Sequence, residues 1–453
     1  MAKDTKKEKL EAAREKRETQ KKERADSGKS QAELIAEYRQ KMQTGIREVT
    51  KALEVTTLGF EAPKGTRGAV ESGSLVVDLT TGGGFPKHRM TTVAGWSGSG
   101  KTTLLTKSEG IQLKKGLITH HADLEGAVDY TWMLRSGTDM NEYLGEKAKG
   151  SKAGKPQTMY YIPDFPSGDS SFRYMNRVLD KAVESGAADL PFLANVFYQD
   201  SLQACIPESL LENDEKGSSP DLAILLSRMI PMIRLKLKAA NSAYIAVSQL
   251  RENPRAMFGS PEYEPGGNAP EFYADLKLRL ERISKPKTFD FKNPHRLIPK
   301  EDGLIKAQAI HIENNPDGTI DEYFYTQVKT TKNRVFPPLK TTYFRMWVSE
   351  NGGAGRGIDP VWDVIRFFEE IGALVVESRK EILFRGKPYT YFDLKEQILG
   401  PKPKEEEEWK DPMKSELYLE ARSLLESGEA FERYFSRLRG DGGEIGTPDK
   451  EEA

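Results

Sequence analysis

The stretch Gly95-Trp96-Ser97-Gly98-Ser99-Gly100-Lys101-Thr102 constrains this chain more than any other. It fits G-x-x-x-x-G-K-[ST]; the run Met90-Thr91-Thr92-Val93-Ala94 before it reads as a buried strand, and Thr103-Leu104-Leu105-Thr106-Lys107 after it can open a helix. A strand, a glycine-rich turn and a helix start, in that order, make a nest of backbone N–H groups for phosphate oxygens. Gly95, Ser97, Gly98, Ser99, Gly100 and Thr103 would form the cradle. Lys101 would reach the β/γ-phosphates, and the Thr102 hydroxyl would ligand Mg²⁺. The expectation is a nucleoside triphosphate site.

At 453 residues the chain can build one large core with appendages, or two to three domains. Its net charge of -1 hides an uneven distribution: residues 1–30 carry 11 Lys/Arg and 7 Asp/Glu, whereas 401–453 carry 9 and 15. A basic head and an acidic tail can each act on a polyanion although they cancel in the total. Cys205 is the only cysteine, which excludes an intrachain disulfide and a thiolate zinc site and favours a packed thiol. No stretch approaches a membrane span and no apolar segment follows the N-terminal lysines, so the expectation is a cytosolic protein without a membrane partner.

Along the chain, 1–30 is a mixed-charge run that is solvated or disordered, and Leu34, Ile35, Tyr38, Met42 and Ile46 recur at helical spacing within a 31–65 oligomerisation segment. Residues 61–88 bring turns, and Leu75-Val76-Val77-Asp78-Leu79 leads towards the phosphate-loop strand. Further strands are expected over 116–120, 190–200 and 243–249, and over 276–283 with one exposed face; a helix is expected over about 221–240. Strands alternating with helices argue for an α/β fold with a mainly parallel sheet. Residues 141–157 look like a surface insertion, 346–400 like a small C-terminal unit, and 401–411 like a linker before one last helix at about 413–438.

Several polar residues close the apolar strands. Asp200 ends one, where a carboxylate beside the phosphate loop can hold Mg²⁺. Glu125 lies just beyond another and is the candidate to orient or deprotonate an attacking water, with Asp123 a close competitor. Gln249 ends a third, where an uncharged amide can sense the γ-phosphate and pass its presence onward. The following loop, 251–269, is too long and too rich in Gly and Pro for a simple connection. Within it Arg251 and Arg255 suit phosphates, while Met257 and Phe258 suit stacking on bases.

Met257-Phe258-Gly259-Ser260-Pro261-Glu262, then Gly266-Gly267-Asn268-Ala269, Phe272-Tyr273-Ala274 and the run Lys329–Phe336 give the chain a more specific likeness. Over about 66–350 it resembles the bacterial RecA family of homologous recombinases, cellular or phage-encoded. The resemblance implies a RecA-type P-loop ATPase core (66–345) with a mainly parallel sheet, a helical N-terminal segment and a small C-terminal appendage. It implies ATP as the nucleotide, bound between subunits of a helical filament on single-stranded DNA that pairs with homologous duplex. By the same resemblance Trp132 would face adenine, and Gly266, Gly267 and Asn268 would belong to a second DNA-binding loop. Phe272 would belong to the subunit contact, and Lys332 and Arg334 would reach the neighbour's ATP site. Loader or single-strand-binding proteins are possible further partners.

The chain also departs from that pattern. Its phosphate loop reads Trp-Ser-Gly-Ser where Pro-Glu-Ser-Ser is usual, Gln199 replaces an apolar residue before Asp200, and the first DNA-loop region, about 209–220, is acidic. The 141–157 insertion, the basic N-terminal run and the C-terminal portion also lie outside the match and suggest a divergent phage-type member. A ring-forming DNA helicase on the same core, and a DNA-coating protein that uses ATP only as a switch, stay open as alternatives.

Overall fold

The structure, a computed structural model, describes residues 68–126, 128, 133–134, 138–144, 157–189, 193–212, 220–252, 262–283, 310–314, 320–337, 340–348, 357–378, 381–401 and 410–439. Strand β1 (Ala69–Val70) pairs with β2 (Phe85–Pro86) and brackets helix α1 (Leu75–Thr81). Val-rich α1 sits where β-branched residues would favour a strand, yet it is helical and wholly buried. Its start explains this. The Ser74 hydroxyl accepts from Val77 N, and Asp363 takes both the Ser74 hydroxyl and the Leu75 N–H at 2.6 Å, satisfying donors that a helix start leaves unpaired.

The main sheet has ten strands. Six run parallel in the order β10 (Leu276–Ile283), β3 (Met90–Gly95), β7 (Ser242–Gln249), β6 (Asn195–Asp200), β4 (Ile118–Asp123) and β5 (Met159–Ile162). Beyond β10 the sheet turns antiparallel through β12 (Ile320–Asn333), β13 (Thr341–Trp347) and β14 (Gly357–Ile358), with β11 (His311–Asn314) on β12. The parallel half therefore carries its chemistry at one edge. Gly95 pairs with Gln249 and Asp123 with Asp200, so every carboxyl end opens on the same side.

Hydrophobic clusters fill both faces. One holds Phe172, Leu179, Leu226, Ile230 and Ile233 from α3 (Gly168–Glu184) and α5 (Pro220–Leu237), with short α4 (Glu208–Glu212) between them in sequence. The other joins α1 and β3 to α7 (Pro360–Glu370), α8 (Tyr391–Leu399), α9 (Glu416–Ser427) and α10 (Glu429–Arg439), so residues after 357 pack on the same core. Helix α2 (Lys101–Lys114) follows the phosphate loop, and α6 (Ala269–Tyr273) precedes β10.

Two sequence expectations are corrected. The single helix at 413–438 is two, broken where Gly428 takes φ 89°. β10 does not present one exposed face: flanked by β3 and β12, it buries Leu276, Lys277, Leu278 and Leu280, and the Lys277 ammonium is met by Glu264 at 2.7 Å and by Glu271. Gln199, polar inside β6, is fully buried because it donates to Cys205 Sγ at 2.9 Å and accepts from the Tyr244 hydroxyl at 2.5 Å. Burial pushes the Cys205 thiol up to about 12, as a packed, inert thiol requires. Among the described residues no helix is long and apolar enough to cross a membrane.

Candidate nucleotide site and the adjoining ribbon

Strand β3 delivers the phosphate loop from the middle of the sheet, and its close packing explains the first glycine. A Cβ on Gly95 would lie 2.5 Å from the Leu280 carbonyl oxygen of β10 and 2.7 Å from Ser99 Oγ. Gly98 and Gly100 take φ 72° and 88°, and Gly100 caps α2 in the left-handed region. Ser99 Oγ is buried with no hydrogen-bond partner among the described residues, whereas Ser97 and Gly98 are exposed. Lys101 is mostly buried, and its ammonium donates to the Trp96 carbonyl at 2.7 Å. Burial lowers its pKa, opposed by the charges of Asp200 and Glu125.

Thr102 Oγ1 donates to Asp200 Oδ2 at 2.5 Å. Burial raises the Asp200 pKa above the usual carboxylate value, opposed by the Thr102 hydrogen bond. The peptide bond from Asp200 to Ser201 is cis. Gln249 Nε2 donates to both oxygens of Glu125, at 2.7 and 2.8 Å, and the Ser201 hydroxyl donates to Oε1. Asp123 is instead fully buried and accepts from Val128 N at 3.0 Å and the Tyr161 hydroxyl at 2.8 Å. Of the two candidate carboxylates, Glu125 is the exposed one beside the amide.

After Gln249 the chain forms a two-stranded ribbon, β8 (Arg251–Glu252) with β9 (Glu262–Tyr263), Arg251 opposite Tyr263. Arg251 is exposed on it. Gln203, which sequence reasoning did not single out, holds its base by accepting from Gln249 N at 2.8 Å and donating to the Pro265 carbonyl at 2.9 Å. Gly266 and Gly267, at φ 111° and 75°, let the backbone close on α5, where a Cβ would meet Leu226 at 2.6 Å or Ala223 at 2.8 Å. Asn268 then begins α6. Arg255, Met257, Phe258 and Trp132 lie outside the described residues.

Lys332 and Arg334 gather at α6, not at the phosphate loop. The Lys332 ammonium donates to the carbonyls of Glu271 at 2.5 Å and Phe272 at 3.2 Å, and Arg334 reaches the Phe272 carbonyl at 3.4 Å. Phe272 itself is 64% exposed, a large apolar side chain on the surface of α6. Asp275, also unforeseen, is a buried carboxylate contacted by Arg89 at 3.0 Å, Arg234 at 3.2 Å and Arg334 at 3.4 Å. Both Gln203 and Asp275 belong to no motif; only folding brings their partners to them.

The residues fit a phosphate and Mg²⁺. The Thr102 hydroxyl and Asp200 carboxylate are hard oxygen donors already in contact. Mg²⁺ takes one or two protein ligands beside phosphates and water, and this pair can supply them.

A glycine-rich loop at the carboxyl end of a central parallel strand, with a hydroxyl–carboxylate pair beside it, defines a P-loop NTPase fold. The family described as RecA N-terminal domain matches residues 40–154 and 167–296. Protein RecA of Rhizobium rhizogenes is 29% identical over 283 residues, 62% of this chain and 63% of that protein. Protein RecA of Brucella anthropi is 30% identical over 292 residues, 64% of this chain and 65% of that protein. The crystal structure of the RadB recombinase aligns at 17% identity over 62% of this chain and 97% of its own, with a TM-score of 0.36, too low to add to the argument from topology. The chain belongs to the RecA family. It spans about two thirds or less of the length of these relatives.

Proposed function

We propose that the protein is an ATP-dependent DNA recombinase that assembles on single-stranded DNA as a helical filament and promotes pairing with homologous duplex. One observation carries the reading: the Gln249 amide grips both oxygens of Glu125, and the next residues but one enter the exposed ribbon. A γ-phosphate that competes for this amide would free Glu125 and pull on the ribbon's root, linking nucleotide state to DNA grip.

In the reading, the loop from Gly95 to Thr103 binds the triphosphate, and Lys101 leaves the Trp96 carbonyl for the β/γ-phosphates. Thr102 and Asp200 would hold Mg²⁺, which when bound neutralises charge on the phosphates. Glu125, released from Gln249, takes a proton from the attacking water while Ser201 steadies its carboxylate. Lys332 and Arg334 act across a subunit contact that includes Phe272, stabilising charge on a neighbour's transferring phosphoryl group. Arg251, with Arg255, Met257 and Phe258, would contact the DNA backbone and bases.

The test combines turnover with imaging. DNA-stimulated ATP hydrolysis should fall by roughly 100-fold or more in Lys101→Ala, and the parent with single-stranded DNA and a non-hydrolysable ATP analogue should form open helical filaments in negative stain. Fixed-size rings would favour a helicase, and stoichiometric coating with negligible turnover an ATP-switched binding protein.

A further inference from the structure

The phosphate loop carries a tryptophan whose role the nucleotide site does not absorb. Trp96 is half-buried, and its indole N–H donates to Glu262 Oε1 at 3.0 Å. Glu262 opens β9 of the ribbon, opposite Glu252, and its other oxygen is bound by the Arg279 guanidinium of β10. The backbone of the same tryptophan accepts the Lys101 ammonium at 2.7 Å. One residue thus joins, through two different groups, the lysine expected to bind phosphate and the root of the strand expected to face DNA.

We propose that Trp96 is a positioning residue that couples the nucleotide site to the ribbon through Glu262, in parallel with the Gln249–Glu125 contact. The inference rests on the proposed function for what binds at each end. The chemistry is suited to it. Indole offers a single donor and no acceptor, so it can hold only an acceptor such as this carboxylate. A hydrogen bond to an ionised group is stronger than a neutral one and sensitive to geometry. When Lys101 leaves the Trp96 carbonyl for a phosphate, the backbone that aims the indole loses a charged donor and keeps the Ser99 N–H at 3.3 Å, while Arg279 still holds the other oxygen of Glu262. The proline usual at this position of the resembling loop has no side-chain donor, so it could not make this contact.

The experiment measures affinity of the full-length protein for a fluorescent oligothymidine by anisotropy, with and without saturating non-hydrolysable ATP analogue. Trp96→Phe keeps the ring and removes the donor; Glu262→Ala removes the acceptor from the other side. Each should shrink the nucleotide-dependent gain in DNA affinity by about fivefold or more, the range of an allosteric coupling. The double variant should lose no more than the single ones, because both break the same contact. A merely structural contact would shift affinity equally in both conditions, and that result, or an unchanged gain, overturns the proposal. If the parent shows no nucleotide-dependent gain, the recombinase reading falls and takes this inference with it.

Discussion

Gly95 sits where a backbone carbonyl of the neighbouring strand leaves no room for a methyl group, since Leu280 O would lie 2.5 Å from it. Backbone cannot yield as a flexible side chain does, so Gly95→Ala should splay β3 from β10. We expect a loss of ~1–3 kcal/mol in chemical denaturation and a drop of roughly tenfold or more in nucleotide affinity by titration, because a small misplacement is costly in a pre-organised site. A second residue-scale prediction concerns the wholly buried pair behind the loop, His121 Nδ1 on Glu109 Oε2 at 2.6 Å. Burial pushes the His121 pKa down, but the Glu109 charge and hydrogen bond outweigh it, and the net shift is upward. The folded state therefore holds this proton more tightly than the unfolded chain does. Its stabilisation is complete below the free-imidazole value of 6.5 and fades as pH rises through the higher folded value. Denaturation midpoints should fall as pH rises from 6.5 through the raised folded value, and His121→Gln should flatten that dependence. A parent midpoint independent of pH over this range would contradict the pair.

At the scale of elements, the sequence located five of the six parallel strands as apolar runs, and β4, β6 and β7 are closed by polar residues, Asp123, Asp200 and Gln249. Alternation bounds β10 from Leu276 to Ile283, but its polar face is largely covered. Alternation reports a polar side, not whether acidic partners such as Glu264 and Glu262 arrive to bury it. Helix α1 was illegible for a related reason: the carboxylate at its start, Asp363, comes from 288 residues away in sequence. The C-terminal helices are held similarly. Arg422 of α9 donates to Asp78 Oδ2 of α1 at 2.6 Å, and Asp78 is fully buried. Burial raises the Asp78 pKa, while the Arg422 guanidinium and the Ser72 hydrogen bonds oppose that shift. Arg422→Ala should cost ~3–5 kcal/mol by denaturation, the penalty for stranding one member of a buried pair. A loss under ~1 kcal/mol would mean that the pair is solvated like a surface ion pair.

On the whole-molecule scale, the proposed shared site yields a mixing test. Lys332→Ala and Arg334→Ala subunits keep their own phosphate loops, so Lys101→Ala subunits added to them should restore part of the DNA-stimulated turnover. Each variant alone should lose about 10³-fold or more, the scale of a charge-stabilising cation at a transferring phosphoryl group. Full turnover by isolated Lys332→Ala protein would contradict a site built from two subunits. The sequence by itself determined the phosphate loop, the strand ends at Asp200 and Gln249, and membership of the parallel-sheet class. Those features are local: a motif and a hydrophobic period are written in consecutive residues. Tertiary structure alone decided that Glu125 rather than Asp123 meets Gln249, that Asp275 collects three arginines, and that Trp96 touches Glu262. Each of these depends on the register of strands brought together across the sheet, and no spacing along the chain encodes a register between strands.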